Sequence, residues 1–324
     1  AFTQAYFMGI LFLVAGYFIP GAYDKKGFRR FINDRFVRLG IPSLIYMLVI
    51  HPFITYTLLD LSWVRPKPGL WNFYASYITS LDFLDSSGPL WFALALLIFS
   101  LVYACFRSLS SQKTRPAGNQ KITDLQVILL ILLITAVAFS IRLVQPIGTS
   151  VLNMQLCYFA QYIILFAIGI QAHRRGWLAN ISTRFGMKWL RLGLIGSPLI
   201  FLGVIIGGGA MENGLDFFYG GWHWQNAAYA LWESFTGVAM SIGLLTLFRE
   251  KYSQQNRLVK ILSDNSFAAY VFHAPVLISI SLLLQSLALP PLAKFALVAA
   301  LTIPATFALT FFILRRIPLL KKVI

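Results

Sequence analysis

Long apolar stretches alternate with short polar connections along the whole chain. Nine of these stretches hold the roughly 20 apolar residues that a helix needs to cross the hydrocarbon core of a membrane. They cover approximately residues 2–20, 39–60, 89–106, 125–144, 152–172, 190–209, 227–248, 266–288 and 292–314. No stretch alternates apolar and polar residues as the strands of a membrane barrel do. The pattern therefore predicts an all-α, polytopic transmembrane helix bundle, with about nine spans in this chain.

Composition supports a bilayer as the solvent of this protein. The 324 residues are 58% hydrophobic and carry a formal charge of +16, and the mean hydropathy is +0.72. A strongly basic chain can indicate nucleic-acid binding, but here the cations lie only between long apolar runs, which predicts no nucleic-acid partner. The four histidines and two cysteines show no metal-ligand spacing, so we predict no metal site.

The distribution of lysine and arginine predicts the orientation of the spans. Of the 27 cations, 23 fall in the odd-numbered connections or in the C-terminal tail, and four fall elsewhere. By the positive-inside rule, the odd-numbered connections and the C-terminus are predicted to be cytoplasmic. We expect an integral protein of a bacterial inner (plasma) membrane. Ala1 then lies outside at the start of a helix, and we expect that a helix normally preceding it is missing.

The stretch "FRRFINDRFVRLGIP" (28–42) gathers four arginines in one connection. Most of them are explained by topology, because positive loops anchor spans whether or not they bind a ligand. A second interpretation concerns Arg35 and Arg38, which form R-x-x-R and share a face if this stretch is helical. Paired guanidinium groups suit phosphate oxygens. The phosphate ligand of a membrane enzyme at this side could be coenzyme A.

Three ionisable residues inside predicted spans are candidates for acid–base chemistry. Charged or titratable groups are costly in a membrane and are often functional. His51 lies in the middle of "VIHPFITY", where Pro52 would also free backbone groups. We predict His273 about two turns into its helix from the cytoplasmic end, and Glu233 about two turns in from the outside. Each also has a structural interpretation: a histidine can be a hydrogen-bonded packing residue, and Glu233 can pair with Arg142 near the same face.

Aromatic residues near the ends of spans are candidates for substrate binding. Trp91 begins a predicted helix, where tryptophan usually anchors the membrane interface. Trp222, His223 and Trp224 lie in one predicted external loop and could stack on a sugar ring. An aromatic belt at the interface explains them equally well.

Three segments, in order along the chain, resemble motifs of the acyltransferase family 3 membrane proteins. The segment 7–46, "FMGILFLVAGYFIPGAYDKKGFRRFINDRFVRLGIPSLIY", is similar to their second helix and the basic R-x-x-R stretch that follows, with Ala15 where the family usually has serine. The segment "SGPLWFALALLIFSLVY" (87–103) resembles their G-x-L-W-F/Y-L helix start. The segment "LSDNSFAAYVFHAPVLI" (262–278) resembles their N-x-S-[FY]-x-x-Y-x-x-H element.

The resemblance implies a bundle of about ten helices that transfers an acyl group from cytoplasmic acyl-CoA to a hydroxyl, often on a glycan. It also implies that the catalytic histidine of the family lies in a first helix, ten residues from a basic residue. No such helix precedes Ala1 in this sequence. We therefore expect residues 1–324 to form a single membrane-embedded acyltransferase domain that is truncated at its N-terminus.

These observations predict a membrane O-acyltransferase that moves an acyl group, most simply acetyl, from acyl-CoA to a glycan or lipid-linked acceptor. Acyl-CoA would be the co-substrate, with Arg35 and Arg38 holding its phosphates. The acceptor would approach near Glu233 and the Trp222–Trp224 loop. The first alternative is a proton-coupled secondary transporter, in which buried histidine and glutamate relay protons. The second alternative is a non-catalytic membrane subunit.

Overall fold

A computed structural model of the chain describes residues 1–58, 68–110, 122–254 and 256–312, together with Arg316. These residues are mostly helical, and no β-strand occurs among them. Within the same ranges, nine helices are long and apolar enough to cross a membrane. We number them α1 (Phe7–Lys26), α2 (Phe28–Leu58), α3 (Gly88–Leu109), α4 (Asp124–Arg142), α5 (Leu156–Arg175), α6 (Thr183–Gly207), α7 (Trp224–Lys251), α8 (Arg257–Leu283) and α9 (Pro291–Phe312). The predicted all-α fold with about nine spans is confirmed.

The predicted orientation of the spans also uses cations that the structure does not describe. These are Arg65, Lys67, Lys113, Arg115, Lys121, Arg315, Lys321 and Lys322, all of which lie outside the described residues.

Three of the helices begin at least seven residues earlier than hydropathy predicts, and one of them is α6, which begins at Thr183 rather than near residue 190. α2 begins at Phe28 rather than near residue 39, so the arginine-rich stretch forms its first turns. α8 begins at Arg257, where the side-chain oxygen of Asn256 caps the helix by accepting a 2.8 Å hydrogen bond from the N–H of Val259. Hydropathy marks where apolar residues begin, whereas a helix continues through polar residues. His273 therefore lies more than four turns into α8 and not two, which corrects our prediction.

Local sequence signals account for several other helix ends. Thr123 caps α4 through a reciprocal pair of hydrogen bonds with Gln126, and the side chain of Ser182 accepts from a backbone N–H in the first turn of α6. α1 ends at Gly27, whose φ of +71° interrupts the helix. α5 ends in the same way at Gly176, with φ of +66°. Both glycines adopt a left-handed backbone conformation that other residues rarely take.

The chain divides into two compact units, each made of segments that are distant in sequence. The first unit contains Ala1–Phe31 and Val102–Gln254, and the second contains Ile32–Leu101 and Gln255–Ile324. In the first unit, α1 packs along α5, and α7 packs against α4 and α6. In the second unit, α9 packs along α8.

The contact between α1 and α5 brings two helix backbones together. A Cβ on Gly16 would overlap the backbone carbonyl oxygen of Phe166, and a Cβ on Gly169 would overlap that of Leu13. In a membrane, where lipid tails are as apolar as leucine, such close van der Waals contact through small residues is a main source of helix association. These glycines therefore specify how α1 and α5 pair.

Replacing Gly16 or Gly169 by alanine is expected to destabilise the protein. The added methyl meets backbone atoms that cannot move aside unless α1 separates from α5, and overpacking of this kind costs about 1–3 kcal/mol or more. Gly203 in α6 is the matched control, because no atom lies within 4 Å of the place where its Cβ would be. Thermal unfolding in detergent should show lower midpoints for the first two variants and no loss for Gly203→Ala. Equal midpoints for all three would contradict the close contact.

The core of the second unit joins α2, α3 and α8. Its buried residues are Leu39, Tyr46, Leu90, Ala93, Leu97 and Val271. Phe267, Tyr270 and Phe272 of α8 pack against this core and are partly buried. All three segments that resemble the family contribute residues to this core.

Candidate functional site

Parts of the three segments that carry the family resemblance meet in the second unit. The hydroxyl of Tyr270, from the third segment, donates a hydrogen bond to the backbone carbonyl of Pro89 in the second. The ring of Tyr46, at the end of the first segment, lies directly over Gly88 and leaves no room for a side chain there. Phe92 meets Tyr270 edge to face, with ring centroids 6.3 Å apart. The fold therefore brings together motifs that lie far apart in the sequence.

His273 lies one turn beyond Tyr270 in the same helix. Its Nδ1 is 2.6 Å from the backbone carbonyl oxygen of Tyr270. A carbonyl can only accept, so Nδ1 is the donor of this hydrogen bond, and in the tautomer that matches it the lone pair is on Nε2. The imidazole stacks on the Tyr270 ring at 6.1 Å between centroids. Within the described residues no hydrogen bond to Nε2 is formed, so this atom can accept a proton from a substrate.

His51 is held by a tyrosine from the Leu70–Thr79 helix. Its Nδ1 is 3.4 Å from the hydroxyl of Tyr77, and the two rings stack at 6.1 Å. Burial raises the pKa of Tyr77 above its ordinary value, so the hydroxyl keeps its proton. That proton is donated to the carbonyl of Met47 at 2.6 Å. The hydroxyl oxygen can then accept from Nδ1 of His51, which matches the packing interpretation of this histidine.

Pro52 in α2 has the consequence that the sequence predicts. Pro52 has no N–H, so the carbonyl of Leu48 loses its usual helical donor. The hydroxyl of Tyr74 donates to that carbonyl at 3.0 Å. The helix also contains three wide π-type turns, at Phe36–Gly40, Tyr46–Ile50 and Ile54–Leu58, a feature that is frequent at functional sites.

Arg35 and Arg38 lie on helical backbone, as the R-x-x-R interpretation requires, but in different surroundings. Arg35 is partly buried in α2. Arg38 has a side chain that is 63% exposed, and its Nε lies 3.2 Å from Asp34 one turn earlier. An exposed ion pair of this kind contributes little to stability. The Arg38 guanidinium can therefore leave Asp34 and bind a ligand with little loss of free energy.

Glu233 forms a buried ion pair in the first unit. Nη2 of Arg142 donates to a carboxylate oxygen of Glu233, with side-chain exposures of 0% and 5%. The guanidinium also lies over two aromatic rings, 5.8 Å from the ring centroid of Tyr158 and 5.5 Å from that of Tyr229. The ion pair between Glu233 and Arg142, which is the structural interpretation of Glu233, is therefore present.

The aromatic residues around the start of α7 are exposed, with Trp222 and His223 before the helix and Trp224 as its first residue. Trp222 is 82% and Trp224 is 57% exposed, while His223 packs on Phe217 at 4.7 Å between ring centroids. The side chain of Asn226 donates to the carbonyl of Gly221 at 3.1 Å, which ties this loop to the first turn of α7. The arrangement leaves both indoles available to lipid or to a ligand.

The candidate residues divide between the two units. Five of them lie in the second unit, namely Arg35, Arg38, His51, Trp91 and His273, and the others lie in the first. Trp91 begins the α-helical part of α3, as predicted. Sequence reasoning did not select Tyr270, although it occupies the tyrosine position of the Y-x-x-H element. Across the described ranges, no group of three or more histidine, cysteine, aspartate or glutamate residues could hold a metal ion.

Comparison with known proteins assigns the chain to a family. Residues 2–314 match the acyltransferase family 3 sequence model, which is described as an acyltransferase domain. Neither a curated protein nor a solved structure matches the chain. The family match extends over nearly the entire sequence and includes all three motif segments that meet around Tyr270. The chain therefore belongs to acyltransferase family 3.

Proposed function

We propose that this membrane acyltransferase transfers an acyl group, most simply acetyl, from acyl-CoA to a hydroxyl of a glycan or lipid-linked acceptor. The observation that carries the proposal is the state of His273 within the family's own motif. Its Nδ1 is committed to the carbonyl of Tyr270, which leaves Nε2 to act as a base. Acyl transfer to a hydroxyl needs such a base, because the neutral hydroxyl is a weak nucleophile.

The proposed reaction proceeds at the thioester carbonyl carbon. The acceptor oxygen attacks this carbon, the new C–O bond forms, and the C–S bond to coenzyme A breaks. The hydroxyl proton moves to Nε2 of His273 and then to the departing sulfur. The products are an ester on the acceptor and coenzyme A with a free thiol. His51 and Glu233 stay predictions as further catalytic residues.

Arg35 and Arg38 are proposed to bind the phosphates of acyl-CoA. Both carry the planar fork of donors that suits phosphate oxygens, and one carboxylate partner, Asp34, pairs with Arg38 at the surface. The exposed indoles of Trp222 and Trp224, together with His223, are proposed to contact the acceptor. Trp91 is proposed for the same role.

The proposed setting is the inner membrane of a bacterium, with the C-terminus in the cytoplasm. The cation distribution supports this orientation, since it would place Arg35 and Arg38 on the side where acyl-CoA is made. Residues 1–324 are proposed to act as one acyltransferase domain, consistent with the single family match.

Replacing both Arg35 and Arg38 by lysine tests this proposal. The charge and the topology signal are kept, but the paired donor geometry is lost, and each charge-assisted contact is worth about 1.5–3 kcal/mol. We expect the KM for acyl-CoA to rise about tenfold to a hundredfold per residue, with membrane insertion unchanged. The assay measures acyl-CoA-dependent modification of the acceptor.

Arg29 and Arg30 provide the matched control. Both are exposed in the same arginine-rich stretch but lie outside the R-x-x-R pair. Lysine at these two positions should leave the KM unchanged. If all four substitutions behave alike, the arginines serve topology alone and acyl-CoA binds elsewhere.

A further inference from the structure

An open groove lies along the N-terminal half of α6 in the first unit. Among the described residues its lining runs from Ser182 to Gly196, and its volume is about 810 Å³. The chemistry of the lining changes along its length. Three cations occupy the first part, which ends at Arg191, and the part beyond contains only Leu192, Ile195 and Gly196. The groove therefore has a basic end and an apolar end.

The basic end of the groove carries three cations, and among the described residues neighbouring carboxylates neutralise only one of them. Arg184, Lys188 and Arg191 follow the i, i+4, i+7 spacing that places residues on one face of a helix. Lys188 pairs with Asp124 at 2.5 Å. In the part of the chain that the structure describes, no carboxylate pairs with Arg184 or Arg191, and both are exposed. The groove thus offers two guanidinium forks to an anion.

The apolar end has space for a hydrocarbon chain. No atom lies within 4 Å of the place where a Cβ on Gly196 would be, and Ile195 beside it is 64% exposed. At about 1.5 Å per residue, the distance from Arg184 to Ile195 along the helix is roughly 16 Å. A ligand that spans the groove needs an anionic head and an apolar tail of about this length.

We propose that this groove binds an anionic phospholipid. Its phosphate lies between Arg184 and Arg191, where planar forks bind phosphate oxygens well, and one acyl chain follows Leu192 and Ile195. Basic pockets beside membrane helices are known to take anionic headgroups. This site is independent of the proposed acyl-transfer chemistry, since it uses none of the residues assigned to acyl-CoA or to the base.

The first experiment measures lipid binding to the purified protein by native mass spectrometry. The probes are palmitoyl-oleoyl phosphatidylglycerol and phosphatidylcholine with the same chains. We expect about tenfold or greater preference for phosphatidylglycerol, and about a tenfold loss of its affinity in the Arg184→Gln/Arg191→Gln double variant. The matched control is Arg257→Gln/Lys260→Gln, which removes the same charge from exposed positions of α8 and should bind as the wild type does. Equal losses in the two double variants, or no preference in the wild type, would overturn the proposal.

A second experiment tests the acyl-chain end. Gly196→Leu fills the open end of the groove. It should therefore lower the affinity for palmitoyl-oleoyl phosphatidylglycerol several-fold and leave the affinity for dihexanoyl phosphatidylglycerol, whose chains are short, unchanged. If the affinities for both lipids fall equally, or neither falls, the acyl chain does not lie along Leu192 and Ile195. Inorganic phosphate and coenzyme A are added as competitors. Displacement of the long-chain lipid by either one at micromolar concentration would assign the groove to a soluble phosphate ligand and overturn the lipid assignment.

Discussion

Replacing His273 by glutamine is expected to lower kcat for acyl transfer by about 10² to 10⁴. Glutamine can still hydrogen-bond the backbone, but it has no lone pair able to take a proton from the acceptor hydroxyl. The loss corresponds to the usual contribution of a general base. The measurement is steady-state transfer at saturating acyl-CoA and acceptor.

Acyl-CoA binding at equilibrium is the internal control for the His273→Gln variant. A base that acts only on the acceptor leaves the dissociation constant of acyl-CoA and the unfolding temperature as they are. A variant with full kcat would remove His273 from the mechanism, whatever happens to the other candidates.

Replacing Glu233 by alanine is expected to destabilise the protein by about 3–5 kcal/mol. The substitution leaves the guanidinium of Arg142, which is 0% exposed, without its carboxylate. Removing one partner of a buried ion pair lowers the free energy of unfolding by about this amount, because it leaves an uncompensated buried charge. Thermal or denaturant unfolding of the purified protein measures the effect. No loss of stability would mean that the ion pair contributes nothing to the fold.

The double variant Arg142→Met/Glu233→Leu separates the two interpretations of Glu233. Apolar residues of similar volume often replace a buried ion pair without loss, so we expect stability to return toward the wild-type value. If Glu233 only neutralises Arg142, the double variant regains both its stability and its acyl-transfer activity. If Glu233 acts on the acceptor, the double variant folds normally and stays inactive.

The helices were predictable where apolar residues mark them, and less so where the chain is polar. Hydropathy found all nine spans of the ranges that the structure describes, but it placed the start of α2 near residue 39, since "FRRFINDR" looks like a connection. The same segment is an amphipathic start to the helix, in which Phe31 is buried and Arg29 and Arg30 are exposed. The start of α8 had a readable signal in Asn256, a good N-cap, which hydropathy alone does not weigh.

The candidate site was predictable as a set of residues but not as an arrangement. Sequence reasoning named Glu233 and Arg142 as a pair because both interrupt apolar runs near the same predicted face. It could not place the hydroxyl of Tyr270 on Pro89, which is 181 residues away along the chain. It also could not assign Tyr74 to the carbonyl that Pro52 frees, since the partner depends on how the Leu70–Thr79 helix folds back on α2.

The backbone contact between α1 and α5 has a consequence for biosynthesis. About 130 residues separate the end of α1 from the start of α5. At about 5–20 residues per second, the ribosome needs roughly 6 to 26 s to supply them. During that interval the glycine face of α1 lacks the surface of α5 that it contacts in the folded unit. Docking of α1 on α5 has to wait for the synthesis of α5, so it is a late event in the assembly of the first unit.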